Sequence, residues 1–92
     1  MDRIRVAVRI EGMVQGVGFR YFTRRTAQSL ELTGWVRNRS DGAVEAIIEG
    51  PRADVESALS ALRQGPSGSR VDNLDIEHQD YRDEFDGFEV RF

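Results

Sequence analysis

The stretch GWVRNRSDGAVEAIIEG, residues 34–50, decides the fold. Two alternating runs flank Asp41-Gly42, which is the pattern of a β-hairpin. Its register follows from what each loop length would bury. A two-residue loop would set Val44, Ala46 and Ile48 on the same face as Arg37 and Arg39, taking two guanidinium groups out of water. A three-residue loop, Ser40-Asp41-Gly42 with Gly42 left-handed in a bulge, pairs Arg39 with Ala43 and Arg37 with Glu45. Val36 then joins the face of Val44, Ala46 and Ile48. The three-residue loop is the better physical solution. It also puts Asn38 on the core-facing side at the end of its strand, where a polar residue needs a partner or a task.

Upstream, RIRVAVRIE sets Ile4, Val6, Val8 and Ile10 on one face and Arg3, Arg5 and Arg9 on the other, a strand with one buried face. From Tyr21 the period becomes helical, with Phe22, Thr26, Ala27 and Leu30 sharing a face. Downstream, GPRADVESALSALRQG predicts a helix. Pro51 sits near its first position, Val55, Ala58, Leu59 and Leu62 form its apolar stripe, and Gly65 is its stop. RVDNLDIEHQ reads as a strand with Leu74, Ile76 and His78 on one face, and Val71 out of phase predicts a bulge. GFEVRF closes the chain, with Phe88, Val90 and Phe92 on one face. The order is β-α-β-β-α-β with a short last strand. It predicts a ferredoxin-like α+β sandwich, an antiparallel sheet with two helices on one face.

Ninety-two residues fit one domain, 1–92, long enough to bury roughly 60–70% of the surface of the unfolded chain. The chain has no cysteine, which excludes disulfides, thiolate metal sites and a cysteine nucleophile. No run approaches the roughly 18 apolar residues of a membrane helix, and the alternating N-terminus lacks a signal-peptide block. A cytoplasmic protein with no membrane association is expected. Residues 1–46 hold eight arginines against five acids, and residues 47–92 hold five against eleven. All thirteen basic residues are arginine, a side chain suited to bidentate recognition of phosphate. A pI near 5.1 argues against a nucleic-acid partner. The segment from Asp72 to Glu89, with eight acids and one arginine, reads as a solvated strand face and loop.

Between the first strand and the first helix lies EGMVQGVGFRYF, residues 11–22. A strand end, a glycine-containing bend and a helix start are the parts of an anion nest, to which the helix N-terminus adds positive partial charge. Gly16 and Gly18 permit positive φ and close approach of a ligand. Arg20 at the helix entrance opposes the helix dipole, a conflict that a bound anion removes. On spacing alone, a plain turn with a solvated arginine fits equally well. The segment is neither a Walker loop nor a G-x-G-x-x-G fingerprint.

GMVQGVGFRYFTRRTAQSLELTGWVRNRSDGAVEAIIEGP, residues 12–51, resembles the signature of the acylphosphatase family. The likeness covers both that family's G-x-V-Q-G-V-x-F-R and its G-W-V-x-N-x-x-D-G-x-V-E segments. The resemblance implies an enzyme that hydrolyses acyl phosphates to a carboxylate and inorganic phosphate. Its phosphate would be held by the backbone amides of Gln15, Gly16, Val17, Gly18, Phe19 and Arg20 and by the Arg20 guanidinium. Asn38 would orient the attacking water. No cofactor and no metal are expected, the partner is the small-molecule substrate, and the chain is expected to act as a monomer. Glu31 stands where the family commonly has glycine, and it costs stability if that position is left-handed.

The chemistry suits so few groups. A mixed carboxylic–phosphoric anhydride carries a good leaving group, and phosphoryl transfer asks chiefly for positioning and charge stabilisation. The substrate's own phosphate is a candidate acceptor for the water's proton. Trp35 reads as packing on the open face, His78 as structural or exposed, and Ser40 and Thr23 lack a paired base. Two rival functions follow from the same fold. An RNA-recognition module is disfavoured, because the aromatics of GVGFRYF fall in a loop and helix and the charge is wrong. A phosphate-recognising domain without turnover, of the kind that begins larger hydrogenase-maturation proteins, is disfavoured by chain length.

Overall fold

A computed structural model describes residues 2–92. The elements run β1 (Arg3–Met13), α1 (Phe19–Ser29), β2 (Thr33–Asn38), β3 (Val44–Pro51), α2 (Arg52–Gln64), β4 (Arg70–Gln79) and β5 (Phe88–Arg91). The sheet order is β4-β1-β3-β2-β5. The four longer strands pair antiparallel, as the β-α-β-β-α-β order predicts. β5 lies parallel to β2, so the complete sheet is mixed where a purely antiparallel one was expected.

The hairpin has the predicted register. Arg37 faces Glu45 and Asn38 faces Val44, and the Arg39 amide donates to the Ala43 carbonyl at 2.8 Å. Gly42 has φ 96° and donates to the Arg39 carbonyl at 3.2 Å. Val36, Val44, Ala46 and Ile48 are fully buried, while Arg37 pairs with Glu45 on the open face. Burying the β-branched side and leaving the ion pair wet is what the alternation dictates.

Both helices cover the face of the sheet formed by Ile4, Val6, Val8 and Ile10, and one apolar cluster joins them to Val55, Ala58, Leu59 and Leu62 of α2. The α2 stripe is the predicted one, although Pro51 ends β3 and occupies the N-cap instead of the first helical position. In α1 the buried line differs from the predicted one. It runs Phe19, Thr23, Ala27, with Phe22, Thr26 and Leu30 only half-buried. The helix begins two residues before Tyr21, and Phe19 anchors its face. Thr23 tolerates burial because its hydroxyl donates to the Phe19 carbonyl at 2.9 Å, one turn back.

The end of α1 resolves the question at Glu31. The Leu32 amide bonds the Ala27 carbonyl and the Glu31 amide bonds the Gln28 carbonyl, which is a Schellman motif. Glu31 is its left-handed residue, at φ 55°. On β4, Asp72 is the extra residue of the predicted bulge, with Asn73 opposite Glu11 and Val71 opposite Gly12.

The acidic segment is not solvated throughout. The loop between β4 and β5 is pinned by Glu49, whose fully buried carboxylate accepts the amides of Arg82, Asp83 and Glu84 at 2.8–3.3 Å. Arg5 lies 3.5 Å from the same carboxylate and also bonds Gln79 and Glu84. A buried carboxylate with three amide donors and a guanidinium is satisfied, so its burial is tolerable. This anchor holds the chain where it can deliver β5 to the edge of β2.

Candidate active site

Residues 14–18 leave the end of β1, where Ile10 is opposite Val44, and Asn38 is opposite Val44 from the other side. The glycine-rich bend and Asn38 therefore belong to the same end of the sheet. Val14 is buried and fixes the root of the bend, while Gln15, Gly16 and Gly18 are exposed. Gly16 has φ 76° and Gly18 φ 75°, the backbone state for which glycine is suited. A Cβ at either position would meet no protein atom, so the glycines serve backbone geometry, not internal crowding.

Gly18 caps α1 without a side-chain hydrogen bond, and the first turn holds no acid. Among the described residues, no protein acceptor bonds the amides of Gln15, Gly16, Val17, Gly18, Phe19 or Arg20; the first helical bond runs from Phe22 to the Gly18 carbonyl. Six open donors at a helix N-terminus form a field that favours an anion.

Arg20 stands at that entrance, and no carboxylate pairs with it among the described residues, although Arg5, Arg9, Arg37, Arg39, Arg52, Arg70 and Arg91 all have one. Its guanidinium instead donates to the Arg91 carbonyl at 3.3 Å and lies over the Phe92 ring at 4.6 Å. Arg91 is opposite Arg37 on β2, next to Asn38, so β5 brings Arg20 to the same end of the sheet. Phe92, expected on the face of Phe88 and Val90, lies just past the end of β5 and is 92% exposed. Its ring serves as a lid on the arginine and does not pack in the core.

Asn38 is half-buried, and its Oδ1 is shielded from solvent with no hydrogen-bond partner among the described residues. Its side-chain amide makes no hydrogen bond through either end among the described residues. A small recess opens there, lined by Arg37, Asn38, Arg39 and Ser40. An acceptor shielded in this way costs about 1–3 kcal/mol unless a donor reaches it, so a donor at that recess would be stabilised.

Asp41 lies at the hairpin tip. The Ala43 amide, and then Arg9 at 2.9 Å, hold its carboxyl below the usual aspartate range. Trp35 lies on the open face between the guanidinium groups of Arg37 and Arg91, as packing and not as part of the bend. His78 is exposed on β4. Among the described residues, no group of three or more histidine, aspartate or glutamate side chains gathers as metal ligands do. No helix among them is long and apolar enough to cross a membrane.

Sequence reasoning missed the side chains of Gln15, Arg91 and Phe92. A glutamine before a glycine and two residues at a strand end carry no local signal of the long-range contacts they make.

The acylphosphatase family model matches residues 6–90. The chain is 58% identical to the acylphosphatase of Syntrophotalea carbinolica, over the whole of both chains. The acylphosphatase of Bacillus subtilis superposes with a TM-score of 0.94 at 34% identity, covering 97% of this chain and 99% of the other. That of Coxiella burnetii gives 0.92 at 37% identity, covering 98% and 94%. With the ferredoxin-like fold, the glycine bend and the hairpin asparagine all in place, the chain belongs to the acylphosphatase family, enzymes that hydrolyse acyl phosphates.

Proposed function

We propose that the protein hydrolyses acyl phosphates by direct attack of a water held by Asn38 on a phosphate seated in the 15–20 bend. The phosphate oxygens take the amides of Gln15 through Arg20 together with the Arg20 guanidinium. The water oxygen forms the new bond to phosphorus, the bond to the bridging oxygen breaks, and the carboxylate departs with the electron pair. The water's proton passes to a phosphate oxygen. The products are a carboxylate and inorganic phosphate.

The observation that carries this reading is the shielded, unpartnered Oδ1 of half-buried Asn38, at the same end of the sheet as six amides with no protein acceptor and an arginine with no carboxylate partner among the described residues. Charge-assisted hydrogen bonds of the kind such a cradle offers contribute about 1.5–3 kcal/mol each. They act on the equatorial oxygens, where charge accumulates in the transition state. A carboxylate leaving group needs no acid, so the absence of a general acid from the cradle is no obstacle. In this reading the protein works as a monomer on a small molecule, without metal and without nucleic acid.

The test is hydrolysis of benzoyl phosphate or acetyl phosphate in excess EDTA. Turnover unaffected by the chelator and competitive inhibition by inorganic phosphate are expected, with simple phosphate monoesters poor substrates. Strict dependence on added Mg²⁺ or Zn²⁺ would overturn the mechanism.

A further inference from the structure

Only the backbone amide of Gln15 belongs to the cradle, yet its side chain spans to another element. Nε2 donates to the Arg39 carbonyl at 2.8 Å and to the Ala43 carbonyl at 2.9 Å. Both hydrogens of the amide are therefore engaged. The two acceptors straddle the hairpin tip: Arg39 follows Asn38, and Ala43 precedes Val44, the residue opposite Asn38. The Ala43 carbonyl also accepts the Arg39 amide, so the glutamine joins the bond that closes the β2–β3 hairpin.

This contact joins two parts of the site that have little else in common. The cradle hangs between β1 and α1, whereas Asn38 ends β2, and β3 lies between those two strands. The bend carries two left-handed glycines, and among the described residues the amides of residues 15–20 have no protein acceptor. Val14 and Phe19 anchor its two ends in the core, and between them the Gln15 side chain is the hydrogen-bonded link to the hairpin that carries Asn38. For in-line attack the separation of the bend from Asn38 matters, because misplacing a reacting group by about 1 Å costs on the order of a hundredfold in rate.

We infer that the Gln15 side chain is a positioning residue that sets the distance between the bound phosphate and the water on Asn38. This rests on the assignment of phosphate to the bend and water to Asn38. Phosphate affinity is carried by the backbone amides and Arg20, so the tether acts on the chemical step. It is coupled to Asn38, since with no water held there the distance has nothing to govern.

The experiment is a double-mutant cycle on the full chain with benzoyl phosphate, using Gln15→Met, Asn38→Ala and the pair. Gln15→Met keeps the length of the side chain and removes both donors. It should lower kcat by about tenfold to a hundredfold and leave the inhibition constant of inorganic phosphate within about threefold. In the Asn38→Ala background the same change should cost less than about twofold, a strong departure from additivity. Gln15→Asn, which keeps the donors but shortens their reach, should behave like Gln15→Met; thermal melts verify that each variant is folded. Equal fold-losses in both backgrounds, an unchanged kcat in Gln15→Met, or a parallel loss of phosphate affinity would overturn the inference while leaving the hydrolytic mechanism standing. Native kcat in Asn38→Ala would instead overturn the water assignment, and the inference with it.

Discussion

The guanidinium of Arg20 lies 4.6 Å from the centre of the Phe92 ring, while its Nη1 reaches the Arg91 carbonyl at 3.3 Å. An arginine with no carboxylate partner among the described residues is thus held by an aromatic face and a backbone oxygen, neither of which neutralises its charge. A carboxylate there would compete with phosphate; a ring does not. Phe92→Ala should leave the fold intact, since the side chain is almost wholly exposed. Losing an exposed cation–π contact of about 0.5–1 kcal/mol should weaken phosphate inhibition about two- to fivefold. Phosphate titration of the two proteins measures this, and identical inhibition constants would mean that the ring does not steer the arginine.

Arg20 and Asn38 should separate kinetically. In the proposed mechanism Arg20 meets the phosphate in ground and transition states alike, so Arg20→Ala should weaken phosphate inhibition and collapse kcat/KM together. Asn38→Ala should instead reduce kcat by about a hundredfold, the scale of losing one preorganised donor, with little change in phosphate affinity. Steady-state kinetics with circular dichroism as a folding control decide it. Near-normal turnover in Asn38→Ala would return the asparagine to the status of a turn residue.

Two left-handed positions should respond in opposite directions. Glu31 has φ 55° with a side chain that prefers otherwise, so Glu31→Gly should stabilise the protein by about 1 kcal/mol. Gly42 has φ 96° with open space where a Cβ would stand, so Gly42→Val suffers from backbone strain alone. About 1–2 kcal/mol of destabilisation is expected. Urea unfolding of both variants gives the sign and size.

Acid should loosen the hairpin tip. The Ala43 amide and Arg9 lower the folded pKa of Asp41, so its contribution is complete above the unfolded value near 3.8 and is lost as pH falls through the lower folded value. Asp41→Asn, which still accepts from the Ala43 amide but has no charge to titrate, should flatten that part of the acid limb. Thermal midpoints between neutral pH and pH 2.5 (about the acid edge of carboxylate titration) would show it. An unchanged slope would place the acid sensitivity in another carboxylate.

The hairpin register, the buried face of β1, the α2 stripe and the Asp72 bulge were legible in the sequence, because each depends on neighbours a few residues apart. Alternation, turn chemistry and the cost of burying charge specify them without reference to the rest of the chain. The two motifs identified the family for the same reason, being short and contiguous. The buried face of α1 was misjudged by the same local logic, since Phe19 was taken for part of the bend. What only the tertiary structure decided is how the pieces of the site are held. The parallel seat of β5 beside β2, the Glu49 anchor that leads to it, the Phe92 lid on Arg20 and the Gln15 tether to the hairpin all join residues 24 to 72 positions apart. Such contacts depend on which strands become neighbours. Periodicity assigns a residue to a face, but it does not say which segment lies across from it.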